Sequence, residues 1–239
     1  MLQLSLSRFH LQLILISVIS QSTTAFSTNK PHIITFGKSI SVQWFAERDA
    51  ENAKAIPLKV RPLLVDARMK EFTLGLPHDV TDRLFVIRRA FRMNDSLPEE
   101  SASPPHWQWQ RGGWLLVDRV TARISPLNLP EFDTQYSAVS WYRDYAAYCG
   151  LSDDGKKIYA VVAQINRRKP VLKKVLDSAA MKDEEKIPSP DSICPAPAWQ
   201  RSPARVSFEP TNAAKQTFAV RGHLVDLITE EEDDEEAEK

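Results

Sequence analysis

An all-β fold is what this sequence predicts, and three observations predict it. Short apolar and β-branched runs recur along the chain, each bounded by Gly, Pro, Asp or Asn. Helical periodicity is weak throughout. Two dipeptides that tolerate positive φ, Gly112-Gly113 and Asp154-Gly155, sit between strand-like runs, where tight hairpin turns need them. The expected architecture is antiparallel hairpins in a meander of repeating units, with a β-sandwich as the alternative.

The first segment, residues 1–25, reads as a signal peptide. Arg8 and His10 precede a mostly apolar run over 11–19, and small residues follow at Ser22-Thr23-Thr24-Ala25. This is the order of an export signal. The run is about half the roughly 20 residues that a membrane span needs, so the cleaved chain is expected not to be transmembrane. Export to the periplasm or the exterior sets the redox state. Cys149 and Cys194 are the only two cysteines, and an even count in an exported chain predicts a disulfide between them.

The body follows from about residue 26. Ile56, Leu58 and Val60 alternate with other residues as a half-buried strand does. Residues 84–91 (LFVIRRAF) and 158–165 (IYAVVAQI) are fuller strands, and 206–208 and 217–220 are shorter ones. Gly112-Gly113 predicts a hairpin within 107–118, and Asp154-Gly155 predicts one within 145–162. Residues 141–148 read as one aromatic strand. The stretch 171–182 predicts a short amphipathic helix, although its first half also suits a strand. Two proline-rich stretches, 94–105 and 183–203, are expected to be loops because proline lacks the amide that sheet interiors need. The expected division is a β-rich repeat domain over 26–182, a connector over 183–203, C-terminal strands packing on the domain over 204–229, and a disordered acidic tail over 230–239.

That tail holds eight acids and one lysine and cannot bury apolar surface. Formal net charge is zero, but without the tail 30 basic residues face 23 acidic ones. The body is therefore mildly basic and the chain is polarised. Arg167, Arg168 and Lys169, with Lys173 and Lys174, form its densest basic cluster. It suits an anionic lipid, glycan or polyphosphate, or the acidic tail itself.

A repeat runs through the first half. Leu63-Leu64-Val65-Asp66 recurs as Leu115-Leu116-Val117-Asp118, an offset of 52, and each copy is followed by a polar turn, a second β-like run and a Leu-Pro pair. Leu224-Val225-Asp226 is a worn third copy. A period near 50 suits stacked β units such as propeller blades, none of which can cover its own apolar face. The segment Leu151-Ser152-Asp153-Asp154-Gly155-Lys156-Lys157-Ile158-Tyr159-Ala160 resembles the signature of TolB-type, WD-like propeller repeats, and 116–127 is similar to the strand-turn-strand that follows it there. The resemblance implies that Asp154-Gly155 turns between two blade strands and that no catalysis resides in it. The whole chain looks like an exported bacterial protein, which implies no activity.

Catalytic signatures are absent from the sequence. There is no GxSxG, P-loop or GxGxxG, and the histidines show no HxxxH or HExxH spacing. No metal or other cofactor is expected. His78, Asp79 and Asp82 form the densest polar constellation, in a turn context. Trp107 and Trp109 would share a strand face that Arg111 continues; with Trp114 they suggest a stripe for stacking on sugar rings or docking a protein. The expected function is a non-catalytic binding or scaffold protein with a protein or glycan partner, its contact surface combining Trp107, Trp109, Arg111 and Trp114 with Arg167, Arg168 and Lys169. Nucleic-acid binding is not expected, because the basic excess is small. The alternative is a secreted hydrolase acting on cell-wall or polysaccharide material, drawing on Asp79, Asp82, Asp133 and Asp144.

Overall fold

Strand signals prevail over the whole length of the computed structural model, which describes residues 31–45, 55–94, 96, 107–176, 194–211, 214–221 and, for the backbone, 224–227. No helix occurs among them. The signal segment, the acidic tail, most of the 94–105 loop, the second half of the 171–182 stretch and the 183–193 part of the connector lie outside the described residues.

The first sheet comprises β1 (Ile34–Phe36), β2 (Ile40–Trp44), β3 (Ile56–Val65), β4 (Arg68–Asp79), β5 (Leu84–Asn94), β6 (Trp107–Asp118) and β7 (Ile124–Leu127). Strands β2 to β6 pair in turn, and β2 then pairs with β6, so the five form a closed circuit. Five alternating strands leave the first and last running the same way. The seam is accordingly parallel, and it rests on one pair, Trp44 with Trp109. Inside the circuit each of the five strands contributes to one cluster: Val42, Leu58, Val60, Phe72, Leu74, Ala90 and Trp109. Phe85 and Ile87 have the opposite strand parity from Ala90, so they face away from that cluster. They pack with Leu63, Leu115 and Val117 under β1 and β7.

The Gly112-Gly113 hairpin expected within 107–118 does not form. β6 is one strand of 12 residues. Arg88 pairs with Trp114 and Ala90 with Arg111, so the two glycines stand opposite the single residue Arg89. This is a bulge. Neither glycine adopts positive φ, and a Cβ at Gly112 would meet the Arg89 Cβ and carbonyl at 3.1 Å. The glycines serve close backbone approach here, not chain reversal.

The LLVD repeat marks the ends of β3 and β6. Leu63 and Leu115 enter the same core cluster. Each copy's aspartate then accepts a backbone N–H: Asp66 Oδ1 that of Ile33 beside β1 at 3.0 Å, and Asp118 Oδ1 that of Val120 in the following turn at 2.8 Å. The two copies belong to one strand circuit, an arrangement that does not support a propeller.

The second sheet is a meander of β8 (Ser140–Tyr142), β9 (Tyr145–Leu151), β10 (Ile158–Gln164) and β11 (Leu172–Leu176). Asp154-Gly155 does turn β9 into β10, with Gly155 at φ 69°. The single aromatic strand expected over 141–148 is instead the β8–β9 hairpin, reversed at Arg143, which takes φ 53°. The helix expected over 171–182 begins as strand β11.

The third sheet is another meander: β12 (Ala198–Arg201), β13 (Ala204–Phe208), β14 (Gln216–Arg221) and β15 (Leu224–Leu227). The end of the 183–203 connector is thus a strand. Its prolines at 195 and 197 stop just short of it, leaving the β12 amides free to pair with β13.

Period two explains the stacking. Tyr145, Ala147 and Cys149 on one face of β9 pack with Ile158, Ala160 and Val162 of β10 against Val206, Phe208, Phe218 and Val220 of the third sheet. Ala146 and Tyr148, on the other face, pack with Val161, Ala163, Leu129, Phe132 and Val139, alongside Trp114 and Leu127 of the first sheet. Gly150 fits because nothing larger can: a Cβ there would lie 2.8 Å from the Glu131 carbonyl oxygen. Cys149 and Cys194 are bonded, tying β9 to the chain entering β12.

Two outcomes are expected. Replacing both cysteines by serine opens a loop of 45 residues' separation and should lower unfolding free energy by about 4 kcal/mol on chain-entropy grounds, read from denaturant midpoints at constant slope. Asp118 receives the Arg83 Nε at 2.9 Å. That pairing outweighs the opposing effect of burial and, with the Thr121 and Val120 amides adding to it, holds the carboxyl well below the usual range. A carboxyl depressed on folding stabilises fully above its unfolded pKa, near 4, and loses that contribution as pH falls further. Asp118→Asn should therefore lower thermal stability at pH 7 and narrow the gap from wild type as acid is added below about pH 4; an unchanged gap counts against the pairing.

Candidate binding surface

Strand alternation carries Trp107, Trp109 and Arg111 to one face of β6, opposite Asn94, Arg92 and Ala90 of β5. The neighbouring β4 strand places Phe72 beside Ala90. The guanidinium of Arg92 lies 5.5 Å from the ring centres of both Trp107 and Trp109 and 5.9 Å from that of Phe72. Phe72 meets Trp109 edge to face at 5.0 Å. Such packing of a cation among ring faces is favourable and fixes the side chain while leaving its donors unused. Arg92 forms no ion pair with a described residue, and Trp107 is 54% exposed. Trp109 is half-buried and joins the circuit's inner cluster.

The site lies at one end of the strand circuit. Trp44 ends β2 and pairs with Ile56, which begins β3; Asn94 ends β5 and pairs with Trp107, which begins β6. The ends of β2 and β5 and the starts of β3 and β6 thus gather here.

Arg111 and Trp114 have other roles. Arg111 sits 4.9 Å above the ring of Trp44, which is 1% exposed, and donates to the Gln135 carbonyl. The bulge keeps Trp114 on the same face but sets it against the second sheet, edge to face with Trp141 at 5.0 Å. Arg88 is its buried neighbour, 9% exposed, and donates to the carbonyls of Gly112 at 3.3 Å and Thr134 at 2.6 Å. Burial, and then the nearby Arg111 charge, weaken its hold on its proton, while Asp133 strengthens it. Arg88 was not singled out in the sequence. Its signal there is an arginine inside an apolar strand, which burial requires to be fully bonded.

Arg167, Arg168 and Lys169 lie on the β10–β11 turn of the second sheet, whereas Trp107 begins β6 of the first. Three of the four candidate carboxylates are engaged singly. Asp79 pairs with Arg119 at 2.5 Å, Asp133 accepts the Gln135 and Tyr136 amides, and Asp144 accepts the Gln164 amide at 2.7 Å. Asp82 lies in the β4–β5 turn. His78 bonds the Arg143 carbonyl at 2.7 Å and stacks on Trp141 at 5.6 Å, joining the first two sheets. Among the described residues no group of three or more His, Cys, Asp or Glu is placed to hold a metal ion.

A separate open cleft of about 490 Å³ runs between residues 128–133 and 151–155, with Glu131, Asp133 and Asp153 on its walls. Glu131 takes φ 57° there and pairs with Lys173 at 2.6 Å.

No protein-family model, curated protein or solved structure matches this chain.

Arg88→Met keeps the side chain's length and removes its bonds to Gly112 and Thr134. Leaving those carbonyls unpaired should cost about 1–3 kcal/mol of unfolding free energy. A variant as stable as wild type would show that Arg88 does not hold the 132–137 segment.

Proposed function

We propose that this is an exported, non-catalytic binding protein whose contact surface is the circuit end built on Trp107, Arg92 and Trp109. The observation that carries the reading is an over-half-exposed tryptophan beside an arginine that has no ion-pair partner among the described residues. A large aromatic left in water forgoes burial worth about 1.5–3 kcal/mol, and a neighbouring cation with spare donors adds direction to the platform. A flat ring face suits stacking on the C–H face of a sugar, and the guanidinium suits its hydroxyl or acid groups. Export is supported by the paired cysteines, a bond that persists in oxidising compartments. Among the described residues no helix is long and apolar enough to cross a membrane.

The wild-type protein should shift its tryptophan fluorescence when oligosaccharides are titrated in, and Trp107→Ala should abolish that shift while leaving the thermal midpoint nearly unchanged. Trp109→Ala, by contrast, should destabilise by about 3 kcal/mol because it empties part of the inner cluster. Unfolding of the Trp107 variant would make that ring a core residue and end the reading. The hydrolase alternative draws on the acidic cleft: polysaccharide turnover by the wild-type protein, lost in a folded Asp133→Asn variant, would replace binding with catalysis.

A further inference from the structure

The two turns at one end of the second sheet bring together cations that lie far apart in sequence. Gln164, the last residue of β10, pairs with Tyr145, the first of β9. The β8–β9 turn that carries Arg143 therefore lies next to the β10–β11 turn that carries Arg167, Arg168 and Lys169. Two bonds lock the turns together: the Ile165 N–H donates to the Asp144 carbonyl at 2.9 Å, and the Gln164 amide donates to the Asp144 carboxylate at 2.7 Å. Arg143 and Asn166 both take the left-handed conformation, at φ 53° and 73°, and each reverses the chain just past its strand.

The electrostatics agree with the geometry. Burial, and then Asp144, raise the Tyr145 hydroxyl's pKa, while Arg167 and Arg143 both pull it back. One tyrosine thus feels arginines from both turns. None of Arg143, Arg167, Arg168 or Lys169 has an ion-pair partner among the described residues. Asp144 is the one acid in these turns, and Gln164 already occupies it. Elsewhere the exposed cations Arg83, Arg119 and Lys173 each have a carboxylate within reach.

Beside the cations are rings. Arg143 lies 5.2 Å over Tyr142, and Tyr142 lies 5.3 Å from Trp199 of the third sheet. Both rings are half-buried. Trp199 is held by its indole N–H on the Ser140 carbonyl at 3.1 Å.

We propose that this end of the second sheet is an acidic-polysaccharide site, in which Arg143, Arg167, Arg168 and Lys169 take carboxylate or sulfate groups and Tyr142 borders the sugar. It is independent of the Trp107 surface. A guanidinium fork can donate to two oxygens of one carboxylate or sulfate at once, which a single ammonium group does less well. A membrane surface fits less well, because none of the exposed large apolar side chains lies in residues 140–145 or 165–171 to enter the lipid.

The opposite end of the same sheet supplies the control. Lys156 and Lys157 precede Ile158 in the β9–β10 turn, at the far end of β10, roughly 20 Å away. The test uses the full chain with dextran sulfate and polygalacturonate as probes, unsubstituted dextran as the neutral comparison, and vesicles containing phosphatidylserine. At least one acidic polymer should bind and dextran should not. Arg143→Asn, which keeps a residue tolerant of positive φ, and Arg167→Ala should each weaken binding about five-fold or more, as expected for one lost charge-assisted contact. The double variant Lys156→Ala with Lys157→Ala should bind as wild type does, and all variants should melt as wild type does. Equal losses in the lysine double variant would reduce the effect to overall charge and overturn the proposal. So would tighter binding to the vesicles, or no binding to either acidic polymer. Should Arg143→Asn fail to fold, Arg167→Ala with Arg168→Ala decides the same question.

Discussion

The second sheet is buried on both faces, and the rest of the molecule is arranged to cover it. β9 and β10 alternate small and large apolar side chains with hardly a polar one between them. An antiparallel sheet usually leaves one face to water; this one cannot. One face needs the Val206, Phe208 and Phe218 layer, and the other needs Leu129, Phe132 and Val139 with Trp114. The third sheet is itself a short meander with a single core face and needs the second as much as it is needed. The disulfide joins the two layers at that shared core: Cys149 and Cys194 are both members of the cluster they cross-link.

The remaining cover is irregular backbone, and polar side chains hold it in place. Residues 129–139 form no strand, so their carbonyls must find donors elsewhere. Tyr148 donates to Pro130 and Leu151 to Glu131, while Arg88 reaches Thr134 from within the first sheet. Asp133 closes the segment on itself through the Gln135 and Tyr136 amides. A buried arginine is expensive in isolation. Here it replaces the hydrogen bonds that a regular strand would have supplied, which explains why an apolar strand tolerates it.

What could be read from the sequence was the part that local chemistry dictates. The apolar alternation of β3, the continuous apolar run of β10, the Asp154-Gly155 turn and the cysteine pair all act through near neighbours or simple composition. Gly112-Gly113 misled because glycine permits two things, positive φ and close approach, and sequence does not say which is used. Only the neighbouring strand decides, through Arg89. The β8–β9 hairpin was missed for the converse reason: Arg143 takes a left-handed conformation that its side chain does not advertise, and its carbonyl accepts a bond from His78 on another sheet. Trp107 and Trp109 were correctly placed on one face by parity, but Arg92, which lies between them, comes from a strand whose register the sequence leaves open.

The same limit separates the two basic regions. Net charge is a property of composition, whereas an unneutralised cluster is a property of register. Arg167 to Lys169 are adjacent in the chain and visible as a run. Arg143 joins them only because β9 and β10 pair so that Tyr145 faces Gln164. Lys173, two strand positions beyond the run's turn, leaves it, because β11 carries that ammonium to Glu131. Sequence proximity therefore overcounts the cluster at one end and undercounts it at the other. Pairing geometry determines which positive charges lie together, and it gathers three arginines and a lysine at one end of a sheet whose strands are otherwise committed to the core.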